Sequence, residues 1–141
     1  MIAAVFFDVD FTLIYPGPAF QGEGYRRFCA EHGIDVDSTR YDAAVRHALS
    51  ALDAVQDHVY DHEVFVRYIG RIIEEMGGSG ERLSECARYI YEEWADCQHF
   101  TLYDDVEPAL RALSAAGLKI GLISNTHRCL STFQRHFELE R

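Results

Sequence analysis

A chain of 141 residues that is 48% hydrophobic and 26% charged is composed like a globular domain, since a disordered segment would be poorer in apolar side chains. Its 13 basic and 23 acidic residues give a net charge of −10, and every basic residue except Lys119 is Arg. This field repels polyanions and offers no Lys/Arg stripe, which argues against nucleic acid as a partner, and no run reaches the roughly 18 to 20 apolar residues of a membrane helix. Met1-Ile2-Ala3-Ala4 lacks the basic start and long apolar run of a secretory signal, so a cytoplasmic location is expected. Reduced thiols at Cys29, Cys86, Cys97 and Cys129 are expected with it.

The first element is the apolar run Ile2–Phe7, which stops abruptly at Asp8-Val9-Asp10 and suits a strand buried on both faces of a parallel sheet. Tyr15-Pro16-Gly17-Pro18 breaks regular structure, and a helical signal follows as far as about residue 100. Phe20, Tyr25, Phe28 and Cys29 share one helical face and Gly33 provides a stop. A second helix begins at Asp37/Ser38 and carries Tyr41, Val45, Ala48, Leu49 and Leu52 on a stripe. Val64, Phe65, Tyr68, Ile69, Ile72, Ile73 and Met76 recur at three and four before Gly77-Gly78, the clearest helix of the chain. A fourth helix is predicted over residues 81–98, facing Leu83, Ala87, Ile90, Tyr91 and Trp94 inward, and the four could pack as a bundle.

After Thr101-Leu102-Tyr103 the pattern changes. Val106, Ala109, Leu110 and Leu113 make a short amphipathic helix, with Pro108 in its first turn and Gly117 as its stop. Leu118–Ile123 reads as a second strand, ending in Ser124-Asn125-Thr126 and followed by a helix from His127 towards Glu138. The outline is α/β: a parallel sheet with a helical insertion after its first strand.

Chemistry gathers at the two strand ends. Ligand sites in open α/β sheets lie just beyond the carboxyl ends of strands, where Asp8 and Asp10 stand two apart. Two such carboxylates can divide labour, one ionised as a nucleophile or metal ligand and the other acting as an acid. The alternative is an ordinary turn in which one of them caps a helix. Ser124-Asn125, with short polar side chains and loop amides, suits a phosphate oxygen or serves as a plain helix cap.

Phe6-Phe7-Asp8-Val9-Asp10-Phe11-Thr12-Leu13 resembles the first motif of the haloacid dehalogenase superfamily, DxDxT, with Phe11 where Gly is commoner. Gly117-Leu118-Lys119-Ile120-Gly121-Leu122-Ile123-Ser124-Asn125 resembles its second motif, and the helical stretch after the first motif is similar in position to the family's helical cap. The resemblance implies a Rossmannoid core in residues 1–15 and 101–141 and a four-helix cap in residues 16–100. It implies a Mg²⁺-dependent hydrolase of small phosphate monoesters acting through an aspartyl-phosphate. In that scheme Asp8 is the nucleophile, Asp10 is the acid and then the base, and both hold Mg²⁺, Asp10 by its carbonyl. Thr12 braces the loop, while Ser124 and Asn125 bind the transferred phosphoryl group. Branches that attack a carbon–halogen bond resemble the rest without a carboxylate at the place of Asp10, so a 2-haloacid dehalogenase is the lesser alternative.

Two further motifs of the family, a Lys or Arg on the phosphate and an acidic pair on the metal, find no match. Lys119 precedes Ser124, Arg128 and Arg135 follow it too closely, and only Glu138 and Glu140 are acidic beyond Asn125. Two parallel strands do not make a covered sheet, so a third strand is expected beyond Arg141, with this chain an N-terminal portion of a longer enzyme. A non-catalytic binding or interaction module, self-associating through the sheet edge, is the alternative from another class. Asp57-His58 and Asp61-His62 have a Zn²⁺-compatible spacing but read as a solvated junction, and Tyr15 and Phe20 are candidates to line a site entrance.

Overall fold

Apolar runs bounded by Asp and Gly shape the elements of this computed structural model, which describes residues 2–53 and 61–140. In chain order they are strands β1 (Ala4–Phe7) and β2 (Ile14–Pro16), then helices α1 (Gly22–Glu31), α2 (Tyr41–Asp53), α3 (His62–Glu75) and α4 (Leu83–Glu93). Strand β3 (Phe100–Leu102), helix α5 (Val106–Ala115), strand β4 (Lys119–Leu122) and helix α6 (Leu130–His136) complete the mixed α/β chain. They fall into two units: Met1–Gly17 with Ala95–Arg141, and Pro18–Trp94. The side chain of Leu52 and the Asp57-His58 pair lie outside what is described.

The helical unit follows its sequence signals closely. Asp37 accepts the amide of Thr39 at 3.0 Å and opens a short 3₁₀ turn, Ser38–Arg40, ahead of α2. Asp61 accepts the amide of Glu63 at 2.9 Å and caps α3. Gly33, at φ +71°, lets the amide of Ile34 return to the carbonyl of Cys29 at 2.9 Å, closing α1 as a Gly stop should. Ile69, Ile72, Ile73 and Met76 of the α3 segment are buried together with Cys86, Ala87 and Ile90 of α4. Each large apolar side chain buried this way contributes about 1.5–3 kcal/mol. The fourth helix ends at Glu93 rather than near Gln98, because the Asp96 carboxylate accepts the amide of Gln98 at 3.1 Å and starts a separate turn.

In the strand unit, β1 and β4 pair in parallel with Phe7 opposite Leu122, and β2 pairs antiparallel with β3. The β2–β3 ribbon lies in stretches that sequence patterning left irregular, since three-residue strands are too short to show a period. Neither face of β1 is fully covered, contrary to the expectation from its apolar run. Phe6 is 61% exposed and Ile123, just past β4, 65%, while Val5 and Phe7 are half-buried. A two-stranded sheet has too little area for helices to cover both faces. Among the described residues no helix is long and apolar enough to cross a membrane.

Candidate active site at the strand ends

Parallel pairing decides what meets here. Ala4–Phe7 runs alongside Lys119–Leu122, and the ladder extends by one bond as the Ile123 amide donates to the Phe7 carbonyl at 2.9 Å. Asp8 and Ser124 therefore leave neighbouring strands at the same end, although 116 residues separate them in sequence. Beyond Asp8 the backbone makes one tight turn. The amides of Thr12, Leu13 and Ile14 converge on the Val9 carbonyl at 3.2, 2.8 and 3.2 Å. The Phe11 amide reaches the Ile14 carbonyl at 2.8 Å. Val9, Leu13 and Ile14 are buried and anchor the turn, so the alternate residues Asp8 and Thr12 stand exposed. Phe11 pays for that turn with φ +61°, the left-handed region in which the commoner Gly carries no penalty.

The two aspartates have different surroundings. Asp8 is open to solvent, and the Thr12 hydroxyl donates to its Oδ2 at 3.4 Å, so Thr12 touches the carboxylate rather than standing apart from it. Asp10 is 19% exposed, and its Oδ1 accepts from Nη2 of Arg128 at 3.2 Å. The Arg128 side chain is itself fully buried. Its Nη1 donates to the Ala95 carbonyl at 3.1 Å, and its guanidinium lies 4.1 Å from the centre of the Phe100 ring. By its spacing Arg128 follows Ser124 too closely to be the family's phosphate-binding Lys or Arg. The structure places it on Asp10 instead, out of reach of solvent. No local signal could have found this pair, which is 118 residues apart.

Ser124 is half-buried and Asn125 exposed, both in an irregular segment before α6. The helix starts at Leu130 instead of His127, so an anion here would meet loop amides and the Ser124 hydroxyl rather than a helix end. Within the intervening loop the Arg128 amide donates to the Thr126 hydroxyl at 3.3 Å. Cys129, exposed beside the Ser131 hydroxyl at 3.2 Å, has its pKa lowered to about 6 by hydrogen bonds from Ser131 and Thr132. Cys29 and Cys86 are buried with sulfurs 3.9 Å apart, and the hydrogen bond between them, with burial, pushes the Cys29 thiol well up.

The two entrance candidates part company. Tyr15 packs against Tyr103 with ring centres 4.9 Å apart, and the pair lines a shallow depression with Asp104. Phe20 is buried against Trp94 at 4.6 Å and belongs to the core of the helical unit. Asp61 and His62 are engaged as a helix cap and in a contact of 3.0 Å with Glu63. The Asp8 carboxylate and the Asp10 carbonyl are hard oxygen donors two residues apart in one turn. That set fits Mg²⁺, which uses one or two protein oxygens and fills its other positions with water and substrate phosphate.

No family model and no curated protein matches the chain. Among solved structures it is similar to one described as a predicted phosphoglycolate phosphatase from Haemophilus somnus 129PT, with 16% identity and a TM-score of 0.38. The match covers 89% of this chain and 52% of that one, so this chain spans about half the length of the structure it matches.

Proposed function

We propose that the chain carries the nucleophile turn of a haloacid dehalogenase-type phosphatase that hydrolyses small, soluble phosphate monoesters. The observation that carries this reading is the parallel pairing of β1 with β4. It sets the Asp8-x-Asp10-x-Thr12 turn beside Ser124-Asn125.

In this scheme an Asp8 oxygen attacks phosphorus in line with the ester oxygen, forming an aspartyl-phosphate and releasing the alkoxide. Asp10 gives that alkoxide its proton, then takes one from the water that hydrolyses the acyl-phosphate. Thr12 holds Asp8 through the hydroxyl–carboxylate contact, limiting the rotamers from which the attack can start. The Ser124 hydroxyl and the Asn125 amide bind phosphoryl oxygens as charge develops on them. Mg²⁺, held by the Asp8 carboxylate and the Asp10 carbonyl, would neutralise phosphate charge so that an anionic nucleophile can approach. The carboxylate at Asp10 favours phosphoryl transfer over dehalogenation, since halide departs without needing a proton.

Hydrolysis of p-nitrophenyl phosphate, in MgCl₂ and in EDTA, by the 141-residue chain and by the same chain with any coding sequence that follows Arg141 tests the reading. Mg²⁺-dependent turnover lost in Asp8→Asn is the expected result. Halide release from a 2-haloacid without phosphatase activity would replace it with the dehalogenase reading.

One observation favours a second reading, an interaction module. Phe6 and Ile123 present an apolar surface on the β1–β4 sheet, a surface of the kind that proteins normally cover. Self-association through that surface is compatible with catalysis and is tested separately.

A further inference from the structure

We infer that Arg128 is the positioning residue for Asp10, an inference that rests on the phosphatase reading of the site. Its guanidinium holds Oδ1 of Asp10 and so fixes the orientation of the carboxylate assigned to proton transfer.

Burying a guanidinium is costly, by several kcal/mol for an unpaired ion, and the cost is tolerated where the group is paired and hydrogen-bonded. Arg128 is engaged at both Nη groups and on its planar face, from within the strand unit, and its buried Nε alone makes no hydrogen bond. The carboxylate of Asp10 lies at one Nη and the Ala95 carbonyl at the other, and the Phe100 ring lies against the face. A planar fork held at two ends and stacked on an aromatic ring has one orientation, which a flexible Lys ammonium could not reproduce. Arg128 also belongs to the loop that follows Ser124-Asn125, whereas Asp10 belongs to the turn that follows β1. The ion pair thus ties together the two loops that the parallel strands bring side by side, and it does so through the residue assigned to proton transfer.

A group that donates and then recovers a proton needs the same oxygen in place for both half-reactions. Arg128 supplies that constraint without touching substrate, since its side chain is fully buried. Its role differs from that of a phosphate-binding cation. Loss of Arg128 leaves Asp10 free to rotate and its negative charge without its partner, so the chemical step suffers while substrate binding does not.

The experiment is steady-state kinetics on p-nitrophenyl phosphate for the wild type, Arg128→Lys, Arg128→Met, Asp10→Asn and the double variant Asp10→Asn/Arg128→Met. Folding is checked by circular dichroism. A positioning role lowers kcat about tenfold in Arg128→Lys and about a hundredfold in Arg128→Met, with KM within about twofold, in the range of general acid–base effects. In the Asp10→Asn background, Arg128→Met costs nothing further, because residues that act as a unit are not additive. Should Arg128→Met fail to fold, Arg128→Lys and its combination with Asp10→Asn carry the same comparison. Unchanged kcat in the folded variants, or a loss that adds in full to that of Asp10→Asn, overturns the role. If neither the 141-residue chain nor its extension past Arg141 hydrolyses a phosphate ester, the phosphatase reading fails and the coupling is judged by nuclear magnetic resonance of the Arg128 guanidinium. Slow, resolved Nη signals that collapse in Asp10→Asn support the pairing, and signals unmoved by that substitution overturn it.

Discussion

Phe11 is the residue at which local strain and the site coincide. A side chain at φ +61° carries a penalty of about 1–2 kcal/mol that glycine escapes, while glycine's looser unfolded chain offsets part of the gain. Phe11→Gly is therefore expected to be more stable than Phe11→Ala by about 1 kcal/mol in urea unfolding, since both remove the ring and only one removes the Cβ. Equal stabilities would show that the turn relaxes around either residue. Cys129 gives a second residue-scale test, this one in pH. Hydrogen bonds from Ser131 and Thr132 favour its thiolate and hold its pKa at about 6, below the ordinary thiol value of about 8.5. The thiolate is the reacting form, so alkylation of Cys129 should reach half its maximal rate near pH 6 in the folded chain and move to about pH 8.5 in urea. Peptide mapping should find Cys29, Cys86 and Cys97, all buried, unmodified at neutral pH in the folded protein.

At the scale of elements, the helices were legible and the support of the Asp8–Thr12 turn was not. The spacing of Ile69, Ile72, Ile73 and Met76 is local, which is why α3 could be read from sequence alone, whereas Asp61, read there as part of a solvated junction, caps the helix in the structure. Replacing Asp61 with Ala should cost about 1 kcal/mol, the usual loss of a cap, and leave the denaturant m-value unchanged. Gly24 in α1 allows a closer approach: a Cβ there would collide with the Ala19 carbonyl oxygen, which belongs to the backbone and cannot swing away. Gly24→Ala should accordingly destabilise by about 1–3 kcal/mol, visible as a lowered unfolding midpoint. By contrast, β2 and β3 are three residues each and leave no periodicity to read. The contact between Asp10 and Arg128 depends on the β1–β4 pairing and on loops that no local pattern encodes. The Asp8, Asp10 and Ser124 positions were legible because short polar residues interrupt apolar runs. What holds them in place was legible only once the strands were paired.

For the molecule as a whole, charge and the open sheet surface act against each other. A net charge of −10 repels a second copy, while Phe6 lying across Gly121, together with Ile123, offers apolar area that water disfavours. Repulsion between copies is screened over roughly 10 Å at 0.1 M salt and over about 3 Å at 1 M, whereas the hydrophobic term is not weakened by salt. Self-association should therefore strengthen as NaCl rises, the reverse of an assembly built on ion pairs. Sedimentation velocity from 0.05 to 1 M NaCl checks this, with Phe6→Ser expected to remain monomeric throughout. An exposed aromatic can be removed without opening a core cavity, so Phe6→Ser should unfold near the wild-type midpoint. Association that weakens with salt, or that survives Phe6→Ser, would locate the contact elsewhere and leave the sheet surface to a different partner.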